Sequence, residues 1–416
     1  MPIQTSIFPK KRLDAMSNKP IQKILFGSPG TGKSYRVENK IIPDELNITD
    51  QSNIIPTVFH PEYTYGDFMG KLMPFTDDSG TIEYKYYSGH FLKALAKAYK
   101  NIIISCIKYE KDKKEVTEEY KKEIGKTRKE DFSNEEMSVL KEKHTKIIKQ
   151  PENVVLIIDE LNRGNSAAIF GTVFQLLDRN KNGWSQYPIT ISDLEKTGLL
   201  QAISLKKNFH KEKGYSFEYD GNSCKDKSEY DKYLDYIFSD LSEEERVTLR
   251  DQECKIKLPP NLSFLATMNT SDNSIYFMDS AFKRRWDWEF INIDDDDQRK
   301  VVSNRRVKLY NNDTCAWNDF VDKLNEFIRI HYKTVRKIED KQIGYFFINE
   351  EIITEEHIKN KLMFFIWDSV FSNNRKPLTE LLEMTGRERD LVTFGQFTQK
   401  DVVQKFVKKV IDFVNV

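Results

Sequence analysis

The sequence predicts an α/β protein in which a parallel sheet lies between helices, with helical insertions in the core and an α-helical domain after it. Three stretches carry that prediction. Lys23 to Ser34 reads as a buried strand that runs into a glycine-rich loop and then opens a helix. Val154 to Glu160 is an apolar run ending in two carboxylates, and Leu262 to Met268 is another with Asn269 at its end. Runs this apolar suit strands covered on both faces, as parallel strands are.

The first stretch matches GxxxxGK[ST] without a mismatch across Gly27, Ser28, Pro29, Gly30, Thr31, Gly32, Lys33 and Ser34, which is a Walker A motif. Its glycines let the backbone wrap closely enough for N–H groups to face phosphate oxygens. Lys33 supplies a point charge for the β and γ phosphates, and Ser34 offers a hydroxyl to Mg²⁺. Tyr35 completes the candidate nucleotide-binding segment, and the helix runs on to Pro43. Ligands of open α/β sheets sit at the carboxyl ends of the strands. There Asp159 would hold the Mg²⁺ shell and Glu160 would orient or polarise an attacking water. Asn269, on a strand expected beside that of Asp159, is placed to reach the γ-phosphate or the water. Asn-Thr-Ser-Asp is equally good turn chemistry.

At 416 residues, 39% hydrophobic and 12% aromatic, the chain is long enough for two or three domains with real cores. Its 65 basic and 65 acidic residues cancel, so no global field draws it onto DNA or an anionic membrane, and nucleic-acid contact must be local or delegated. The longest apolar runs are far below the roughly 20 residues needed to span a bilayer. Met1 to Pro20 has no apolar h-region, and the expectation is a cytoplasmic protein without membrane contact. Cys106, Cys224, Cys254 and Cys315 form no CxxC pair and are joined by only six histidines, which argues against a zinc site and a disulfide framework.

Residues 1–20 hold three prolines and read as a lead-in, so no recognition domain is expected ahead of the loop. Thr57 to Pro61 reads as a second strand. Tyr63 to Met69 turns out of it with three aromatics, which either pack between strand and helix or face the pore of a ring. A helix follows Ser88 and Gly89 with Phe91, Leu92, Leu95 and Tyr99 on one face. Of the 43 residues from Lys108 to Gln150, 24 are charged, and Ser133 with Glu136 makes a capping box. This predicts an inserted helical hairpin over about 101–150 with a solvated, mixed-charge face. A second insertion, about 206–257, carries a turn at Tyr219 to Asn222, an amphipathic helix with Tyr230, Tyr233, Leu234, Ile237 and Phe238, and a further helix capped by Ser242 and Glu245. A short helix then ends in Lys283, Arg284 and Arg285 before a fifth strand, Asp287 to Ile293. Basic residues at a helix C-terminus suit the macrodipole. Arginines at a nucleotide interface can equally stabilise charge on a transferred phosphoryl group. The core is thus 21–294. Residues 295–416 read as helical, with apolar faces at Phe320, Leu324, Phe327 and Ile328, at Leu362 to Phe371, and at Val402 to Phe413.

An α/β nucleotide core followed by a helical lid resembles the AAA+ superfamily. Phe59 to Phe68, Asp159 to Arg163, Met268 to Ser274 and Asp279 to Trp286 are similar to the McrB type, the motor subunits of modification-dependent restriction systems. The resemblance implies Mg²⁺-dependent hydrolysis of ATP or GTP by a homo-oligomer, a hexameric ring, that drives a McrC-like endonuclease subunit and meets DNA indirectly or through the complex. It makes Asn269 the group that positions the lytic water, and Arg163, Arg284 and Arg285 contacts to nucleotide, some across a subunit interface. Two departures stand out: Ile343 to Phe347 replaces the family's Ile-Gly-His-Ser-Tyr-Phe, and the family's amino-terminal DNA-reading domain is missing. No nuclease constellation of clustered acids with a nearby lysine lies in the core, so the chain itself is not expected to cut DNA. A MoxR- or chelatase-like remodelling ATPase and a nucleotide-gated scaffold are the alternatives.

Overall fold

The computed structural model describes residues 19–414, apart from 77, 212–213, 251–253, 271–275, 277, 311–313 and 385–390. The lead-in up to residue 18 and positions 271–274 of the Met268 to Ser274 signature lie outside the described residues. Strands β1 (Gln22–Gly27), β2 (Ile54–Val58), β3 (Val154–Asp159), β4 (Leu262–Asn269) and β5 (Asp287–Phe290) form one sheet. Their order across it is β5-β1-β4-β3-β2, with every pair parallel. The strand that ends in Asn269 therefore does lie beside the strand that ends in Asp159.

Both faces of this sheet are covered, which is why its strands are apolar at successive positions rather than alternate ones. Leu25, Val155, Ile157 and Leu265 point to the side covered by Val37, Ile41 and Ile42. Those three sit on the helix that begins at Lys33–Arg36 and continues in wider π-type turns through Val37–Glu45. Ile24, Leu156, Ile158 and Phe264 point to the other side and meet Phe91, Leu92, Leu95 and Tyr99. Phe170 sits at the centre of that second layer, its ring 4.7 Å from Phe68, 5.2 Å from Phe282 and 6.2 Å from Trp286. Of the aromatics that leave β2, Tyr63 and Phe68 are buried, so packing accounts for them.

The charged insertion is a helical hairpin, but its first arm is not a separate helix. Helix His90–Glu123 is continuous over 34 residues, and Asn134–Thr145 folds back along its outer half from the expected Ser133/Glu136 capping box. Lys143 to Glu123 at 2.6 Å and the edge-on Tyr120 and Phe132 rings close the hairpin. The second insertion is partly β: an antiparallel pair, Leu205–His210 with Gly214–Tyr219, precedes helix Lys227–Ile237. Ser242 and Glu245 cap a turn, not a helix. Buried Leu241 and Leu249 pull that segment inward, and β-branched Val247 and Thr248 do not propagate the turn.

A second hairpin, Gly70–Thr76 with Ile82–Ser88, was not anticipated. Its root is fixed by Tyr86, whose ring lies where a Cβ on Gly198 would sit 2.2 Å away. Beyond the root it leaves Leu72, Phe75, Ile82 and Tyr84 exposed. The carboxyl-terminal unit has its own core, built on helices Trp317–Ile330 and Lys400–Ile411 through Phe320, Leu324, Phe327, Val403, Phe406 and Val410. It is not wholly helical as expected. Strands Arg306–Lys308, Thr314–Ala316 and Ile352–Thr354 form a small sheet whose Val307 and Ile353 are fully buried, so three short strands close the end of the helical core. Among the described residues no helix is long and apolar enough to cross a membrane.

Phe170→Ala should lower stability by about 3–5 kcal/mol, because it leaves a cavity between two faces that cannot collapse. Ile104→Ala, at a half-exposed position of the long helix, should stay within about 0.5 kcal/mol. Urea unfolding followed by tryptophan fluorescence separates the two.

Candidate functional site

Parallel pairing sets the site. Gly27 at the end of β1 lies opposite Asn269 at the end of β4. On the other side of β4 the register runs Ala266 to Ile158. One residue further, the Thr267 hydroxyl donates to Asp159 Oδ1 at 2.8 Å. Gly27, Asn269 and Asp159 thus share the carboxyl edge of three adjacent strands, and Glu160 follows immediately.

Lys33 is buried in the glycine-rich loop, its ammonium 3.0 Å from the Gly27 carbonyl and 2.9 Å from the Ser28 carbonyl. Thr31 closes the turn by donating to the Ser28 carbonyl at 3.0 Å. Ser34 is exposed, and Tyr35 stacks on Phe346 with ring centroids 5.3 Å apart.

The outer side of this loop is clasped by the carboxyl-terminal unit, which sequence reasoning missed. The Gly344 N–H donates to the Pro29 carbonyl at 2.9 Å and the Phe346 N–H to the Gly30 carbonyl at 2.8 Å. The Ser28 hydroxyl donates to the Glu339 carbonyl. The approach is so close that a Cβ on Gly344 would lie 2.2 Å from the Gly30 oxygen, and one on Gly30, at φ 76°, 2.4 Å from the Phe347 nitrogen. The segment that departs from the family's pattern therefore meets the phosphate loop through its backbone. It is held in turn by the Asn325 amide, which brackets Ile343, and by Trp317 Nε1, which donates to the Tyr345 carbonyl at 2.7 Å. The Tyr345 hydroxyl donates to Asp322 at 2.6 Å, beside Arg299. Burial pushes the Asp322 carboxyl up, while the Tyr345 hydrogen bond and Arg299 oppose that shift.

Glu160 begins a tight turn over Leu161–Arg163 in left-handed backbone, φ 56° and ψ 43°. Asn269 Nδ2 donates to its Oε1 at 3.1 Å, and Arg163 Nε lies 3.3 Å from its Oε2. The buried Asn162 amide donates to the Asn269 carbonyl at 3.0 Å and so fixes the end of β4 to the same turn. The three predicted residues Glu160, Asn269 and Arg163 are thus in mutual contact. No local sequence signal announces the Arg163 pairing, which comes from the turn itself.

The arginines after the short helix behave differently. Arg285, with a side chain 9% exposed, pairs with Asp178 at 2.6 Å, lies 3.9 Å over the Phe174 ring and accepts from Gln22 through its carbonyl. Gln22 begins β1, so Arg285 sits at the opposite end of that strand from Gly27, and the structure does not bring it to the loop. Arg284 is exposed at the surface.

Among the described residues no three acids, histidines or cysteines cluster to form a metal cage. One hydroxyl at Ser34 and one carboxylate at Asp159 suit Mg²⁺, which keeps several waters and takes one or two protein oxygens together with substrate phosphates. Thr267 engages one Asp159 oxygen from behind and orients the group.

No protein-family profile matches the chain. Over 397 residues, 92% of this chain and 91% of the relative, it is 28% identical to a protein of Bacillus subtilis (strain 168) named Type II restriction enzyme BsuMI component YdiS.

Gly344→Ala should displace the clasp from the phosphate loop, since its methyl would meet the Gly30 backbone oxygen. The expected outcome is a lower melting temperature together with weaker binding of a fluorescent nucleoside triphosphate, read by anisotropy.

Proposed function

We propose that the chain is a Mg²⁺-dependent nucleoside triphosphatase, an AAA+ motor of the McrB type that serves as one component of a restriction system. The observation that carries this reading is the shared carboxyl edge of β1, β4 and β3, where a phosphate loop, Asn269 and an Asp159-Glu160 pair converge. That edge is where α/β sheets bind ligands. The Bacillus subtilis relative, matched over nearly the full length of both chains and named as a restriction enzyme component, supports the restriction role and the expectation of partner subunits.

In this reading ATP or GTP lies with its β and γ phosphates in the loop, and Lys33 turns from the Gly27 and Ser28 carbonyls to their oxygens. Mg²⁺, held by Ser34 and Asp159, supplies the positive charge that offsets the phosphates. Glu160 accepts a proton from a water oriented by Asn269. The water oxygen bonds to the γ-phosphorus as the bond to the bridging oxygen breaks, releasing the nucleoside diphosphate and inorganic phosphate. Arg163 and Arg284, both exposed, are the arginines placed to reach a nucleotide on a neighbouring copy in a hexameric ring. Cutting of DNA belongs to a McrC-like endonuclease partner, and contact with DNA runs through that complex.

Phosphate release from ATP and from GTP tests this directly. Lys33→Ala should bind nucleotide weakly. Glu160→Gln should bind it and hydrolyse about 10²-fold or more slowly, and wild-type turnover in that variant would sink the assignment. Light scattering with a non-hydrolysable analogue should show nucleotide-promoted assembly, and a protein that stays monomeric with the analogue would remove the ring.

A further inference from the structure

Glu160 holds a left-handed backbone conformation, which a non-glycine residue keeps only where its surroundings enforce it. Arg163 supplies much of that enforcement. Its N–H donates to the Glu160 carbonyl at 2.9 Å, and its guanidinium meets the carboxylate of the same residue at 3.3 Å. With Asn269 on the other oxygen, both ends of the carboxylate have protein partners, and the Arg163 charge offsets the negative charge that would polarise a water.

We propose that Arg163 is a positioning residue with two alternative partners: Glu160 of its own chain in the unassembled protein, and the terminal phosphate of a nucleoside triphosphate held by a second copy in the assembled one. The inference rests on the triphosphatase reading above. The Arg163 side chain is 50% exposed and that of Glu160 is 26% exposed, so the guanidinium is the member free to leave. An ion pair this open to solvent is weak. A guanidinium on a phosphate forms two charge-assisted hydrogen bonds and is stronger. Arrival of a neighbour's phosphate therefore draws Arg163 outward and leaves the Glu160 carboxylate, steadied by Asn269, to act on water. Each copy becomes competent only when the next one is loaded, a coupling between two nucleotide sites carried by one side chain.

The latch and a simple arginine finger predict opposite signs for one measurement. Phosphate release per subunit is followed against protein concentration for the wild-type chain, Arg163→Ala and Arg163→Lys, with Lys33→Ala as background. Below the assembly concentration Arg163→Ala should turn over several-fold faster than wild type at an unchanged KM, and should gain nothing on assembly, where the wild-type rate rises. Arg163→Lys should fall between them, because an ammonium keeps the charge and loses the planar fork. If Arg163→Ala, melting as wild type does, is no faster than wild type at any concentration, the latch is wrong. If Arg163→Ala does not fold, Arg163→Lys decides alone: an unassembled rate no higher than wild type overturns the proposal. A wild-type chain that releases no more phosphate than Lys33→Ala overturns the triphosphatase reading itself, and the latch with it.

Discussion

The site depends on the parallel pairing of β4 between β1 and β3. A slip of one residue would turn Thr267 away from Asp159 and exchange the buried faces of every strand, so hydrophobic burial and polar alignment demand the same register. The glycine-rich loop, Asn269 and the acidic pair come from stretches more than 100 residues apart, and this sheet makes them neighbours. The stabilisation of the layers is therefore also what holds the geometry of the carboxyl edge.

The two edges of the sheet are built to different standards. At the amino edge, Arg179 is fully enclosed and donates to the carbonyls of Gly183, Pro259 and Leu262 and to Gln22. Burial pulls its guanidinium down to about 9, which still leaves it charged at neutral pH. Arg285 and Asp178 lie beside it and reach the same Gln22. These contacts are inward, short and crowded. At the carboxyl edge, Arg163 is half exposed and Ser34 faces solvent. Groups that must change partners sit where exchange is cheap, and groups that must not are sealed away.

The strands and the loop were legible in the sequence because their signals are local: an apolar run, a glycine spacing, a pair of acids. The same holds for the Ser133/Glu136 box and for the amphipathic helices of the carboxyl-terminal unit. Arrangements created by distant partners were not legible. The Gly344 clasp depends on contact between segments more than 300 residues apart, and no motif marks a glycine chosen for the absence of a Cβ. Arg285 shares its cluster with Arg284, yet burial separates their environments completely. The 70–88 hairpin does show alternation in Ile82 to Tyr86, but its faces are both largely solvent-exposed, so hydrophobic pattern alone gave no side to bury. The small sheet at Arg306–Lys308 escaped because three-residue strands are too short to carry a period.

Helix His90–Glu123 extends over about 50 Å at the usual rise of about 1.5 Å per residue. Its first turns are bound to the sheet, where Asn101 donates to Asn53 and to the Glu152 carbonyl. Past Lys232 and Glu110 its printed partners belong to its own hairpin. Relatives that differ in length here can therefore gain or lose whole turns at the tip, in matched steps on both arms, without altering the register of the catalytic edge. The segment is a natural place for insertions and deletions to accumulate, and for a peptide tag or fluorophore to be carried without disturbing the fold.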